Sequence, residues 1–390
     1  MPSRVAVLGA GGVMGGDIVE TLLDLVPGVS IVAADLDEAR VRRTLEGWID
    51  DLAGVEAVDV TDSHKTASLC ADADVVVNAV GPCYELGEPV LQAAIEAGTD
   101  LVDLCDDYDA TRELLDTYDE PARRAGVTAV LGMGASPGVS NVLARRAIDR
   151  LDVVDRVLIG VTRSIGAEAG AAIPYHLLHS WLGDVPVHHD GVRVDGQGLR
   201  TGAEVLEFPR PFGKVPVYHF GHPETITLPE VIDSPAVSVS CKGNFLPEAF
   251  RESLLSMEDL GLTAEHELTV DGHQLRPLDV AAAHLEYVGM QALSEAEPPP
   301  SGGAIVVEVA GEEAGTDTTY RASGTATMRE ATSWSAALGA TFLLEGDIDR
   351  PGVWAPEAVV PPDRFVRTLL DETGFDLWEG QMTLTTREDG

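Results

Sequence analysis

The chain reads as an α/β protein: a doubly wound parallel sheet with a second, α+β domain carrying a mainly antiparallel sheet. Three observations predict this. The first third of the chain alternates short apolar runs with amphipathic helical segments. A glycine-rich turn joins the first apolar run to the first helix. From about Val153 the texture changes to longer strand-like runs with helices between them. Strands that alternate with crossover helices imply a parallel sheet covered on both faces.

The first strand is Arg4-Val5-Ala6-Val7-Leu8, and the turn behind it is Gly9-Ala10-Gly11-Gly12-Val13-Met14-Gly15. Asp17 to Val26 has apolar residues at helical spacing. Ser30–Ala34 is the second strand, followed by a polar helix over Leu36–Leu52 and a strand near Ala57–Val60. A helix near Lys65–Cys70 precedes the strand Asp74–Val80, which Gly81-Pro82 stops. Glu88–Ala97 is a helix ended by Gly98. The strand Asp100–Leu104, the helix Asp109–Arg124 and the strand Thr128–Leu131 complete the alternation.

In the second part, strands are predicted at Arg156–Val161, Val185–Val187, Val192–Val194, Val215–His219, Val237–Cys241 and Ala304–Val309. Helices are predicted at Tyr175–Trp181, Leu246–Leu260 and Leu278–Leu293. Pro298–Gly303 reads as a turn or short linker. Thr332–Leu344 and Pro361–Thr373 are the last helices.

A strand, a glycine turn and a helix N-terminus form a cradle for a pyrophosphate. Gly9, Gly11, Gly12, Val13 and Met14 are the candidate phosphate contacts. The third glycine falls one place late, at Gly15, with Met14 in the usual position, which predicts a wider turn. Asp35 ends the second strand, twenty residues after Gly15. A carboxylate there accepts hydrogen bonds from an adenine ribose, so the expected cofactor is NAD, with NADP the alternative. In sheets of this kind ligands bind beyond the carboxyl ends of the strands. That rule adds Asn78, Gly81, Pro82 and Ser136 to the cofactor set. The bland reading is a glycine turn that only packs a helix on a sheet.

The charge is unusual. Asp plus Glu number 65 against 26 Lys plus Arg, a net of −39. The only lysines are Lys65, Lys214 and Lys242. With 45% hydrophobic residues the chain still builds a core. It reads as a halophilic-type protein with a solvated acidic surface, and the charge argues against nucleic acid as a partner. No apolar run is long enough to span a bilayer and no signal peptide precedes the first strand, which predicts no membrane partner and a cytoplasmic protein. The four cysteines, Cys70, Cys83, Cys105 and Cys241, are scattered. No pair has redox or metal-ligand spacing, so neither a disulfide framework nor a metal site is predicted.

Several segments resemble the saccharopine dehydrogenase family. They are Asn78-Ala79-Val80-Gly81-Pro82, Gly87-Glu88-Pro89-Val90, Ala94–Gly98, Val102-Asp103-Leu104-Cys105 and Gly132–Asn141. Gly221-His222-Pro223-Glu224-Thr225 resembles a loop of the lysine 6-dehydrogenase-like branch. Gly346-Asp347-Ile348, Pro351-Gly352-Val353 and Pro356-Glu357 resemble the C-terminal signature. Many saccharopine-type members carry Asp-Pro-Gly where this chain has Ser136-Pro137-Gly138, so an acid at that place is not carried over. The resemblance implies a Rossmann domain over 1–135, an α+β substrate and dimerisation domain over 136–339, and a return to the first domain over 340–390. It implies a nicotinamide-dependent dehydrogenase acting on a C–N bond of an amino acid or opine, and a homodimer. The alternative is a non-catalytic NAD(P)-binding sensor or scaffold on the same fold.

Oxidation of an amine needs a base, and carboxylates that hold the substrate's nitrogen. Two sets compete. His222 joins an imidazole to Glu224, which would fix its tautomer; the bland reading is a satisfied loop histidine. Asp106 and Asp107 follow a strand at the cofactor edge; the bland reading is that Asp107 or Asp109 caps the next helix. Ser136 is expected as an N-cap with Pro137 at the first helical position. Lys242, Arg163 and Arg329 are further cations that could meet a substrate carboxylate, with surface solvation the simpler role.

Overall fold

A computed structural model describes residues 3–165, 172–292, 300–373 and 375–383. The first stretch runs β1 (Arg4–Leu8), α1 (Val13–Leu25), β2 (Ser30–Asp35), α2 (Glu38–Thr44), β3 (Gly54–Ala57), α3 (Ser63–Ala71), β4 (Val75–Asn78), α4 (Cys83–Ala97), β5 (Asp100–Asp103), α5 (Tyr108–Ala125) and β6 (Thr128–Leu131). The middle runs α6 (Val139–Ile148), β7 (Val153–Ser164), α7 (Ile173–Ser180), β8 (Asp184–His189), β9 (Val192–Gln197), β10 (Glu204–Phe208), β11 (Gly213–His219), α8 (Glu224–Val231), β12 (Ser238–Leu246), α9 (Ala249–Asp259), β13 (Leu268–Val270), β14 (His273–Leu275), α10 (Pro277–Ala292), β15 (Gly303–Glu313) and β16 (Thr316–Ala326). The chain closes with α11 (Met328–Glu345), β17 (Gly352–Trp354), α12 (Pro356–Val359), α13 (Pro362–Glu372) and β18 (Asp376–Thr383).

Two compact units result: Met1–Val139 with Met328–Phe365, and Ser140–Thr327 with Val366–Gly390. The first is a seven-stranded sheet in the order β17-β6-β5-β4-β1-β2-β3, with every pair parallel. The chain reverses direction across the sheet between β1 and β4, the switch point at which such sheets bind ligands. The strands read as near-continuous apolar runs because both faces are covered. Val5, Val7 and Leu8 of β1 are fully buried, as are Val76 and Val77 of β4. α11 lies against α1, where Arg329 pairs with Asp17. Gly339 lets it approach the sheet: a Cβ there would meet the Met133 side chain at 2.9 Å. The guanidinium of Arg329 is thus committed to a structural ion pair.

The second unit is a mixed nine-stranded sheet, β10-β11-β12-β7-β15-β16-β18, with β8 and β9 branching from β12. It is mainly antiparallel, with one parallel pair, β12 with β7. β18, close to the C-terminus, pairs with β16 in this unit. Lys242, on β12, is held by Glu204 of β10 at 2.5 Å, a cross-sheet ion pair. The Arg163 guanidinium stands 5.3 Å from the Phe245 ring centroid. No helix of the described residues is long and apolar enough to cross a membrane.

Several local expectations are corrected. The polar helix after β2 is short, Glu38–Thr44, because Asp37 caps it by accepting the Ala39 N–H at 2.9 Å and the chain turns after Leu45. β3 lies earlier than expected, in register with β2 from Gly54 to Ala57; Val58 and Val60 are buried in the segment that follows. Leu246 ends β12, and α9 starts only at Ala249. Ser136 and Pro137 do not open α6. Gly138 has φ +119°, a conformation outside any helix, and α6 starts at Val139. Of the Pro298–Gly303 turn, 298 and 299 lie outside the described residues, as does residue 293 of the expected Leu278–Leu293 helix.

The cysteine expectation is also corrected. Cys83 and Cys105 form a disulfide, 22 residues apart in sequence, with Cα atoms 5.3 Å apart. Neither sits in a redox spacing. Cys83 starts α4 and Cys105 follows β5, and the parallel pairing of β4 with β5 brings the two strand ends together. Cys70 and Cys241 are free and buried.

Candidate active site

The glycine turn is built by close approach. Gly9 has φ +80°, and a Cβ there would meet the Ala79 carbonyl oxygen at 2.7 Å. Gly12 donates its N–H to the Gly9 carbonyl at 2.9 Å and caps α1. Val13 and Met14 begin the helix, where no intrahelical carbonyl reaches the N–H groups. Gly15 has the role of the third glycine despite its late position: a Cβ there would lie 2.1 Å from the Gly9 oxygen. The turn therefore presses the helix onto β1; the Gly11 and Gly12 N–H groups are taken by Asp35 and Gly9, and the first-turn N–H groups of α1 lack an intrahelical acceptor, which fits a dinucleotide pyrophosphate.

Asp35 ends β2, and its carboxylate accepts the N–H of Gly11 at 3.1 Å and of Asp37 at 3.2 Å. It is thereby fixed beside the turn. The Arg40 side chain flanks the same glycine, 3.1 Å from where a Gly11 Cβ would stand. Asn78 ends β4. It donates to the Asp103 carboxylate at 2.7 Å and accepts the Val80 N–H at 3.1 Å. Gly81 and Pro82 follow, with Pro82 at the N-cap of α4. Ser136 lies in the turn after β6, where Gly134 donates to the Pro137 carbonyl at 2.9 Å. All ten residues of the cofactor set thus lie in the first unit, in segments that open from the carboxyl ends of β1, β2, β4 and β6.

Asp103 is a buried hub that sequence reasoning assigned no role. Its carboxylate accepts from Asn78 and from the Cys105 N–H at 2.7 Å, and its carbonyl accepts from Gly132 and Met133. Burial pushes its pKa up to about 6; the two hydrogen bonds oppose this, and Asp106 and Asp107 add to it. Asp107 is buried at the N-cap position of α5 and accepts the Tyr84 N–H at 3.2 Å. Asp106 and Asp107 therefore surround Asp103 electrostatically. A polar residue closing an apolar strand was the available signal.

The second constellation lies wholly in the second unit. After β11 the chain passes Phe220-Gly221-His222-Pro223 and enters α8 at Glu224. Phe220 stacks on Trp181, ring centroids 4.0 Å apart, and Trp181 packs on Phe245 at 4.5 Å. Gly243 makes room for that tryptophan, since a Cβ there would meet its ring at 2.6 Å. His222 stands edge-on to Phe220 at 5.0 Å and to His176 at 5.9 Å. Its Nδ1 lies 2.6 Å from Glu224 Oε2. The other oxygen, Oε1, accepts the Ser140 hydroxyl at 2.7 Å. His222 is 3% exposed and Glu224 is fully buried.

A buried carboxylate is costly unless both oxygens are engaged. Here Ser140 and His222 engage one each. Cys241 Sγ stands 3.9 Å from Oε2, and burial and the carboxylate push its thiol well above the usual range, so it remains a neutral donor. A carboxylate at Nδ1 favours the tautomer with its proton on that nitrogen. Ser140 is 84 residues from Glu224, a distance no local pattern reveals. His219, by contrast, is held neutral: burial lowers its pKa to about 4, helped by Lys242.

Residues 5–130 match the family described as Saccharopine dehydrogenase NADP binding domain. A lipid droplet localized protein of Caenorhabditis elegans is 31% identical over 33% of this chain, which spans 32% of that protein. A carboxyaminopropylagmatine dehydrogenase of Synechocystis sp. is 24% identical over 94% of this chain and 95% of its own. The apo L-Glu-forming saccharopine dehydrogenase of Saccharomyces cerevisiae has the same fold, with a TM-score of 0.69 at 17% identity, covering 98% of this chain and 100% of that one. Residues 5–130 therefore form a saccharopine dehydrogenase-type dinucleotide-binding domain, and the chain has the saccharopine dehydrogenase fold.

Proposed function

We propose that the protein is a nicotinamide-dependent dehydrogenase that acts on a C–N bond of an amino acid or opine. Saccharopine dehydrogenase and lysine 6-dehydrogenase chemistries are the two variants of this reading. The Synechocystis relative, named for a carboxylated polyamine, adds a substrate with both an amine and a carboxylate. The observation that carries the reading is the buried relay Ser140–Glu224–His222. A buried carboxylate held by Ser140 fixes the ring orientation that a general base requires.

The bound dinucleotide would supply the hydride acceptor, and NAD is the form that Asp35 favours. Gly9, Gly11, Gly12, Val13 and Met14 would hold its pyrophosphate, with Asp35 at the adenine ribose. Asn78, Gly81, Pro82 and Ser136 would line its nicotinamide half. His222 takes the substrate amine's proton on Nε2 in the oxidative direction. Glu224 orients the ring and stabilises the imidazolium. Asp106 and Asp107 would hold the substrate nitrogen. The competing reading is a nucleotide sensor without turnover.

The test is a screen of amino acids, opines and carboxylated polyamines in molar KCl, read by nicotinamide absorbance. With a substrate in hand, His222→Asn should lower turnover by roughly 10²–10⁴ and leave cofactor affinity intact. A nearly active variant, or damage confined to Asp107→Asn, would transfer the base to the aspartates. Cofactor binding without turnover of any compound favours the sensor.

A further inference from the structure

We propose that the Cys83–Cys105 disulfide is a thiol–disulfide exchange site, through which a dithiol reductant sets the dinucleotide affinity of the first unit. This rests on the cofactor reading of the glycine turn.

The bond ties two segments that matter to the cofactor set. Cys83 follows Gly81 and Pro82 at the start of α4, beyond the end of β4. Cys105 begins the strap between β5 and α5 that carries Asp106 and Asp107. β4 is the neighbour of β1, so the Cys83 segment adjoins the switch point of the sheet, and the disulfide ties the loop after the next strand, β5, to it. Two polar links join the same segments: Tyr84 N–H to Asp107 at 3.2 Å, and Asn78 to Asp103 at 2.7 Å. The disulfide is the covalent member of that set. Without it the two loops keep these hydrogen bonds and their packing but lose the covalent tie.

The site is fitted to the sulfurs. Gly87, one turn into α4, leaves the space that Cys83 Sγ occupies; a Cβ there would lie 2.8 Å from it. Thr111 directs its hydroxyl at Cys105 Sγ at 3.5 Å. The two buried residues differ in exposure, Cys83 being 8% exposed and Cys105 1%. Attack therefore falls on Cys83, the more accessible residue of the two. The other cysteines are chemically quiet, since burial pushes the Cys70 thiol up to about 12 and the Cys241 thiol well above its usual range.

The exchange is balanced. A thiolate of the reductant attacks Cys83 Sγ, forming a mixed disulfide and breaking the bond to Cys105. Cys105 leaves as a thiolate and takes a proton from water. The second thiol of the reductant then attacks its own mixed-disulfide sulfur. Cys83 is released and protonated, and the reductant departs as a disulfide. The protein has gained two electrons and two protons, and the dithiol has lost them. The oxidised state keeps the loops ordered before the dinucleotide binds, so reduction weakens binding.

The experiment uses the full chain in molar KCl, oxidised or reduced with dithiothreitol. Maleimide labelling after denaturation should count two thiols in the oxidised protein, Cys70 and Cys241, and four after reduction. NADH titration by fluorescence should give an affinity about tenfold weaker in the reduced protein. The double variant Cys83→Ser, Cys105→Ser should match the reduced protein with or without dithiothreitol. Cys70→Ser should retain the full response. If the double variant does not fold, the oxidised and reduced native protein alone decide. Four thiols before reduction, or equal affinities in the two states, would overturn the proposal. So would a response to dithiothreitol that survives in the double variant. Binding of NADH by the oxidised protein reports separately on the cofactor reading.

Discussion

The Glu224 carboxylate joins Ser140 to His222, with Oε1 2.7 Å from the serine hydroxyl and Oε2 2.6 Å from the imidazole Nδ1. The serine starts the second unit at α6 and the histidine precedes α8. The carboxylate between them has no exposure to water. Such a chain of donors fixes both the charge on the acid and the tautomer of the ring.

Ser140 should therefore act as a positioning residue. Ser140→Ala removes one donor to the ionised carboxylate and costs about 1–3 kcal/mol of stability. It also frees one oxygen of the carboxylate that anchors the His222 ring, so turnover should fall with NADH affinity unchanged. Ser140→Thr should restore turnover. A loss of stability with turnover intact would make the serine a packing residue only.

Cofactor selection should follow Asp35. Its carboxylate would accept ribose hydroxyls and repel a 2′-phosphate, so NAD should be the better cofactor. Asp35→Ser should shift preference toward NADP, because Arg40 flanks the same glycine and the acid that opposes a phosphate is gone. Comparable catalytic efficiency with both cofactors in the native chain would contradict this. Gly11→Val should abolish NADH binding while a cooperative melt survives. Gly15→Ala should instead damage the fold, since its Cβ would meet the Gly9 oxygen.

Asp103 gives the first unit a pH signature. Its carboxyl pKa in the folded protein is about 6, above its ordinary 3.8. The folded state holds the proton more tightly, so the stabilising contribution is complete below about pH 4 and is lost as pH rises through about 6. The native chain should exceed Asp103→Asn in stability by more at pH 5 than at pH 7.5, measured by urea unfolding in molar salt. A difference that grows with pH would reverse the assignment.

Stability should also rise with salt. A net charge of −39 makes the folded chain repel itself until ions screen it. Melting temperature should climb from low to molar KCl. A flat profile would remove the halophilic reading.

Much of the first unit was legible because its signals are local. Apolar runs of four to six residues, glycine punctuation and Asp35 at the end of β2 need only neighbours in sequence to be recognised. The late third glycine was legible as a departure, but its meaning was not. Only the approach of α1 to β1 shows that Gly15 must lack a side chain. The second unit was less legible. β16, Thr316–Ala326, carries few apolar residues and is held by pairing with β15 and β18. β10, β18 and the helix α8 were missed for the same reason, since their stability comes from partners.

The chain's own order determined the alternating sheet and the glycine cradle, because each rests on residues adjacent in sequence, and the resemblance of the Gly221–Thr225 loop made His222 beside Glu224 a candidate. Tertiary structure decided the rest. It joined Ser140 to Glu224 across 84 residues and Cys83 to Cys105 across 22. It placed Asp103 in a buried position that raises its pKa, and it gave Arg329 and Lys242 to ion pairs. The physical reason is that local pattern follows from backbone geometry and side-chain periodicity. Partner choice, burial and pKa follow from which distant segments the sheets bring together.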